Sequence, residues 1–185
     1  MPEEIHFNPK TGRAPQARWL PSPNHDARPH PAFINTLVIH AISLPPDCFG
    51  NTYVEDFFCN QLDASRHPYF KSITHLKVSS HFYVKRDGQL LQFVATRERA
   101  WHAGLSEFKG LDVVNDFSIG IELEGCDGQA FTDEQYAGLK DLSQTLIAAY
   151  PAISKQRIVG HNEVAPGRKT DPGPCFDWER YLGEL

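Results

Sequence analysis

At 185 residues, with 41% hydrophobic and 22% charged residues, the chain has the make-up of one soluble globular domain with a core of its own. Its formal net charge of −5 offers no basic face of the kind nucleic-acid binding needs. No apolar run approaches the roughly 20 residues that span a bilayer, and "MPEEIHFNPKTGRAPQARWL" lacks an apolar signal core, so the expectation is a cytoplasmic monomer without membrane or nucleic-acid partners.

Residues 1–35 hold seven of the 14 prolines, which predicts an extended, irregular segment. Trp19, Leu20 and Phe33 are the residues expected to pack it onto the rest of the chain. "NTLVIHAIS" (35–43) reads as a buried strand and "VEDFFCNQL" (54–62) as a short helix. "SSHFYVKRDGQLLQFV" (79–94) reads as a hairpin turning at Asp87-Gly88. "FSIGIELEG" (117–125) is a second strand, with Ile119, Ile121 and Leu123 facing the core and Ser118, Gly120, Glu122 and Glu124 opposite. The plainest helix is 132–151, with Thr132 and Gln135 at capping-box spacing and Pro151 at its end. "RIVGH" (157–161) is a short strand, and "DWERYLGEL" (177–185) a helix capped by Asp177. Strands and helices mixed in this way predict an α/β fold, a central mixed sheet flanked by helices, over residues 36–185.

Cys48, Cys59, Cys126 and Cys175 show no CxxC spacing, so neither a cysteine zinc module nor a thioredoxin-like site is expected. Reduced, mostly buried thiols are the expectation for all four. The nine histidines form no HExxH, so any metal site must be assembled from distant segments. His40 interrupts the apolar "LVIHAI" and must find a partner or a ligand. His161 stands at a strand end, where side chains enter clefts. Asp171 precedes Pro172, which favours an extended backbone there and so places Lys169 and Asp171 on one face and Thr170 on the other. Gly120 beside Glu122 leaves space for a substrate or metal, and alternation alone does not choose between Glu122 and Glu124. Two histidines with one carboxylate form a catalytic zinc set; a glutamate can move a proton and a lysine can stabilise an oxyanion.

"VIHAISLPP", "RDGQLLQFV", "RAWHAG", "NDFSIGIELEG", "VGH" and "APGRKTDPGPCFDW", in this order, resemble AmpD-type amidases, the cytoplasmic 1,6-anhydro-N-acetylmuramyl-L-alanine amidases, over roughly residues 18 to 182. The resemblance implies a type-2 amidase fold and one zinc ion (Zn2+) per chain, held by His40, His161 and Asp171. It implies Glu122, rather than Glu124, as general base and Lys169 as the oxyanion-stabilising cation. Trp101 and His102 resemble the substrate cleft, and a muropeptide, preferably in the 1,6-anhydro form, is the implied small-molecule partner. A non-catalytic muropeptide-binding module and an amidase acting on intact wall are the alternatives.

The sequence also departs from that pattern. Ala41 stands where relatives usually have Asn, Lys77 where several have Arg, and Val113 at a position often basic. Ala41 and Lys77 are therefore positions where substrate recognition is expected to differ, since Lys lacks the planar fork of Arg. Residues 48–72, rich in Phe, are the candidate for a loop over the cleft.

Overall fold

In the computed structural model, which describes residues 5–29 and 33–185, the two long apolar strands lie side by side at the centre. The sheet runs in the order β1 (Arg18–Trp19), β5 (Leu90–Gln92), β4 (Phe82–Val84), β9 (Ser118–Glu124), β3 (Thr36–Ile42) and β10 (Ile158–Gly160). Only β4 and β5 pair antiparallel, as the hairpin with Gly88 at φ 82; the other pairs are parallel. Two small antiparallel pairs lie outside it, β2 (His25–Ala27) with β6 (Glu98–Ala100) and β7 (Glu107–Phe108) with β8 (Leu111–Asp112). The helices are α1 (Tyr53–Phe58), α2 (Asp133–Ala149), α3 (His161–Val164) and α4 (Trp178–Gly183).

The two sheet faces have different tasks. On one, Leu37 and Ile39 of β3 join Ile119, Ile121 and Leu123 of β9 in the main core. Leu139, Leu142 and Leu146, spaced to share one side of α2, cover that face. Each such fully buried side chain contributes about 1.5–3 kcal/mol. Thr132 caps α2 in a complete capping box, and Tyr181 of α4 is tied to Ser143 by a 2.6 Å hydroxyl contact. On the other face, Val38 packs with Ala103, Val114, Val159 and Val164, while Tyr83 joins Phe57, Phe58 and Phe70. Between these two clusters, this face of β3 and β9 carries His40, Gly120 and Glu122.

Several expectations change. All seven residues of β9 are buried, including Glu124, whose carboxylate accepts from the backbone of Gly50 and Arg86. The first helix ends at Phe58, four residues early, because Asn60 turns to φ 59. The proline-rich N-terminal segment carries β1 and β2; Leu20 packs into a core cluster, but Phe33 is 70% exposed. None of the four free thiols is buried: Cys48 is exposed and the other three are half-buried. His30 and residues 1–4 and 31–32 lie outside the described residues.

Candidate functional site

The centre forms where β3, β9 and β10 end. The parallel register sets His40 opposite Glu122, and β10 ends at Gly160, so His161 becomes the first residue of α3. Glu163 accepts from the Gly160 amide at 2.9 Å and fixes that entry. Asp171 comes in from the loop after α3, and its carbonyl accepts from the Asn162 amide at 3.0 Å. His40 Nδ1 lies 2.9 Å from His161 Nδ1 and 3.2 Å from Asp171 Oδ2, and His161 Nδ1 lies 3.0 Å from the same oxygen. Among the described residues these three form the one group of His, Cys, Asp or Glu side chains whose ligand atoms converge, all within 4.8 Å.

Asp171 does not arrive as expected. Residues 171 and 172 form a turn, with a cis bond between them, rather than an extended run. Lys169, Thr170 and Asp171 all line the same cleft, so strict alternation does not apply. What positions the aspartate is the bond from its carbonyl to the start of α3.

The donor set suits a cation. His161 Nε2 faces the Ala103 carbonyl at 3.3 Å; a carbonyl only accepts, so the ring proton sits on Nε2 and Nδ1 turns a lone pair inward. Burial, reinforced by neighbouring His161, lowers His40 to about 4, which keeps it neutral. Lone pairs and a carboxylate this close repel one another unless a positive charge lies among them, and imidazole with carboxylate is a set divalent metals accept. These residues therefore fit a metal ion.

Glu122 is 7% exposed, and its Oε2 meets no hydrogen-bond partner among the described residues. Burial first, then the charge of Asp171, raises its carboxyl well above the ordinary value, against the opposing pull of Lys169. Glu122, Lys169, Asp171 and His161 all border a cleft of about 560 Å³, a size suited to a small ligand. Phe57, Phe58 and Tyr69, from the segment expected to form a loop over the cleft, supply an apolar wall, with Phe58 and Phe70 anchored in the core.

The other sequence candidates divide. Ala41 and Trp101 border the cleft; the Trp101 indole donates to Asp26 at 3.1 Å. Lys77 is exposed and does not line the cleft, although Leu76 and Val78 on either side do. Val113 lies on the surface, 44% exposed. His102 touches the cleft but is 8% exposed, and its ring lies against His40 and over Gly120. A Cβ on Gly120 would stand 2.5 Å from the His102 ring, so the space beside Glu122 is taken by an imidazole, not kept for substrate or metal. Sequence reasoning left Arg168 without a role. Its guanidinium donates to the carbonyls of Ala103 and Leu105 and so ties the ligand loop to the "HAG" turn. Carbonyl partners have no sequence signature, so nothing in the chain announced it.

Residues 29–174 match the N-acetylmuramoyl-L-alanine amidase family, Amidase_2, and the chain belongs to that family of amidases. Several of the relatives share one name. The 1,6-anhydro-N-acetylmuramyl-L-alanine amidase AmpD of Haemophilus influenzae is 51% identical over 174 residues, 94% of this chain and 95% of the relative. A crystal structure of a selenomethionine derivative of AmpD superimposes with a TM-score of 0.94 at 46% identity, covering 98% of this chain and 99% of that one. AmiD from Escherichia coli, solved with anhydro-N-acetylmuramic acid-L-Ala-D-gamma-Glu-L-Lys, follows at a TM-score of 0.62 and 30% identity, covering 85% and 60% of the two chains.

Proposed function

We propose that this chain hydrolyses the amide between the lactyl group of N-acetylmuramic acid and L-alanine in muropeptides, with the 1,6-anhydro form preferred, during cytoplasmic recycling of wall fragments. The observation that carries the reading is the convergence of His40, His161 and Asp171 on one cleft with Glu122 and Lys169. Support for the substrate comes from the AmpD relatives and from the anhydro-muropeptide bound by AmiD.

His40, His161 and Asp171 hold one zinc ion per chain in this reading. Zinc in a two-imidazole, one-carboxylate set supplies Lewis acidity and lowers the pKa of water it meets. Glu122 takes the proton of the attacking water and returns it to the leaving alanine nitrogen, and burial, which raises its carboxyl pKa, makes its carboxylate a stronger base. Lys169 donates to the oxyanion that develops on the lactyl carbonyl oxygen. The aromatic wall of Phe57, Phe58 and Tyr69 holds the apolar parts of the substrate and keeps bulk water off.

The test is a comparison of substrates by product analysis. The chain should release anhydro-muramic acid and free peptide from soluble 1,6-anhydro-muropeptide far faster than it releases peptide from intact sacculi. A chelator should abolish the reaction and zinc restore it. Equal rates on both substrates would replace recycling with wall digestion, and muropeptide binding without cleavage by zinc-loaded protein would favour a recognition module.

A further inference from the structure

A file of groups runs from His40 back to the main chain, away from the cleft. His40 Nε2 lies 2.9 Å from His102 Nδ1, and His102 Nε2 lies 3.1 Å from Ser118 Oγ. Ser118 Oγ in turn lies 2.6 Å from the carbonyl oxygen of Val114. The far end sets the direction. A carbonyl only accepts, so Ser118 donates its proton to Val114 and turns a lone pair to His102. His102 Nε2 carries the proton that meets it. A neutral imidazole has a single N–H, so His102 Nδ1 is an acceptor, and His40 must donate to it from Nε2. That leaves the lone pair of His40 on Nδ1, the atom that faces His161 and Asp171.

We propose that His102 and Ser118 are positioning residues that lock His40 in its Nε2–H tautomer and so present Nδ1 to the metal, an inference that rests on the metal-centre reading above. His102 is held for this task from several sides. Its backbone amide and that of Ala103 both donate to Asn115 Oδ1, at 3.2 and 2.8 Å. Its ring fills the space left by the missing side chain of Gly120. The other ligand histidine is served by the next residue along, through the Ala103 carbonyl. One dipeptide thus sets the proton positions of both imidazoles, by a side chain for His40 and by the backbone for His161. Outer partners of this kind orient ligands, and their loss costs about 10–100-fold in metal affinity.

Two measurements test it. In a long-range proton–nitrogen spectrum of the purified protein with labelled histidines, His102 should carry its proton on Nε2 and show a bare Nδ1, and His40 should carry its proton on Nε2. In chelator competition, His102→Leu should weaken zinc binding about 10–100-fold. His102→Gln, whose amide oxygen can accept from His40 while its NH2 donates to Ser118, should stay close to wild type. A wild-type His102 protonated on Nδ1 overturns the proposal, as does a folded His102→Leu protein that binds zinc as tightly as wild type. If the wild-type chain takes up no zinc at all, the metal reading fails separately, and the ring-nitrogen spectrum still decides the proton order.

Discussion

His40 and Glu122 stand directly opposite each other on neighbouring parallel strands, and the environment they share pushes both toward their neutral forms. Burial lowers the imidazole to about 4 and raises the carboxyl well above its usual range. The strand register makes this pairing: a slip of one residue would turn each side chain into the opposite face of the sheet. The neutral imidazole is the form that binds a metal.

Glu122→Gln should separate binding from turnover. The amide keeps the shape but cannot take a proton, so hydrolysis should fall by about 10²–10⁴-fold while zinc content stays at one per chain. Folding stability at pH 7 should rise, because burial raises the Glu122 carboxyl pKa and so costs free energy at that pH, a cost the amide does not carry. Turnover near the wild-type rate would rule out Glu122 as the base.

Gly120→Ala should destabilise the fold by about 1–3 kcal/mol, since its Cβ would overlap the His102 ring. In a chain that also carries His102→Ala, the added cost of Gly120→Ala should shrink, because the clash is gone. Urea unfolding of the two single variants and the double variant gives the coupling directly. Strict additivity would mean that the glycine is needed for some other reason.

Much of this was open to reading in the chain, for reasons that differ by residue. The strands around His40 and Glu122, and the helix from Asp133, declare themselves through apolar runs, alternation and a capping box, all of them local. The strands at 18–19, 25–27, 107–108 and 111–112 are two or three residues long and exist through partners distant or adjacent, which no local pattern marks. His40 and Glu122 were conspicuous as polar groups in apolar strands. Asp171 stands out in the sequence for an extended backbone it does not have; His102 is placed in the cleft wall by resemblance alone, and the gap at Gly120 reads as room for a ligand although the His102 ring fills it. Which ring fills a gap is a property of packing across the sheet, not of sequence neighbours.

Val113 offers a stability gain. This β-branched residue sits at φ 56, ψ 60, the left-handed region that disfavours its side chain, and it is 44% exposed. Val113→Asn should stabilise the protein by about 1 kcal/mol, seen as a higher urea midpoint at an unchanged slope. A lower midpoint would show that the valine side chain holds that turn.

His81 predicts a pH dependence of stability. The Gly120 amide donates to its Nδ1 at 3.1 Å, so its proton sits on Nε2, facing the Glu98 carbonyl; full burial, reinforced by the positive Arg28 guanidinium 3.1 Å from Nε2, holds its pKa well below 6.5. The unfolded chain takes up a proton near 6.5 and the folded chain does not. Its contribution is therefore complete above that value and lost as pH falls toward the folded pKa. Between pH 6 and pH 5 the wild type should lose up to about 1.4 kcal/mol more than His81→Gln, in which the other buried histidines contribute equally. Urea titrations at pH 7, 6 and 5 measure the difference, and parallel curves would contradict it.

The two imidazoles of the centre are separated by 121 residues, and His40 and Asp171 by 131. They meet only through parallel pairing of β3 with β10, a contact that closes a long loop and so forms slowly. During synthesis nothing that emerges before Asp171 can complete the set. A metal held by these residues would therefore be captured at the end of folding and would report that it has finished, whereas in a zinc finger the ion starts the process. A chain arrested or truncated before the Asp171 loop would have all six strands of the sheet and an unfinished candidate metal site.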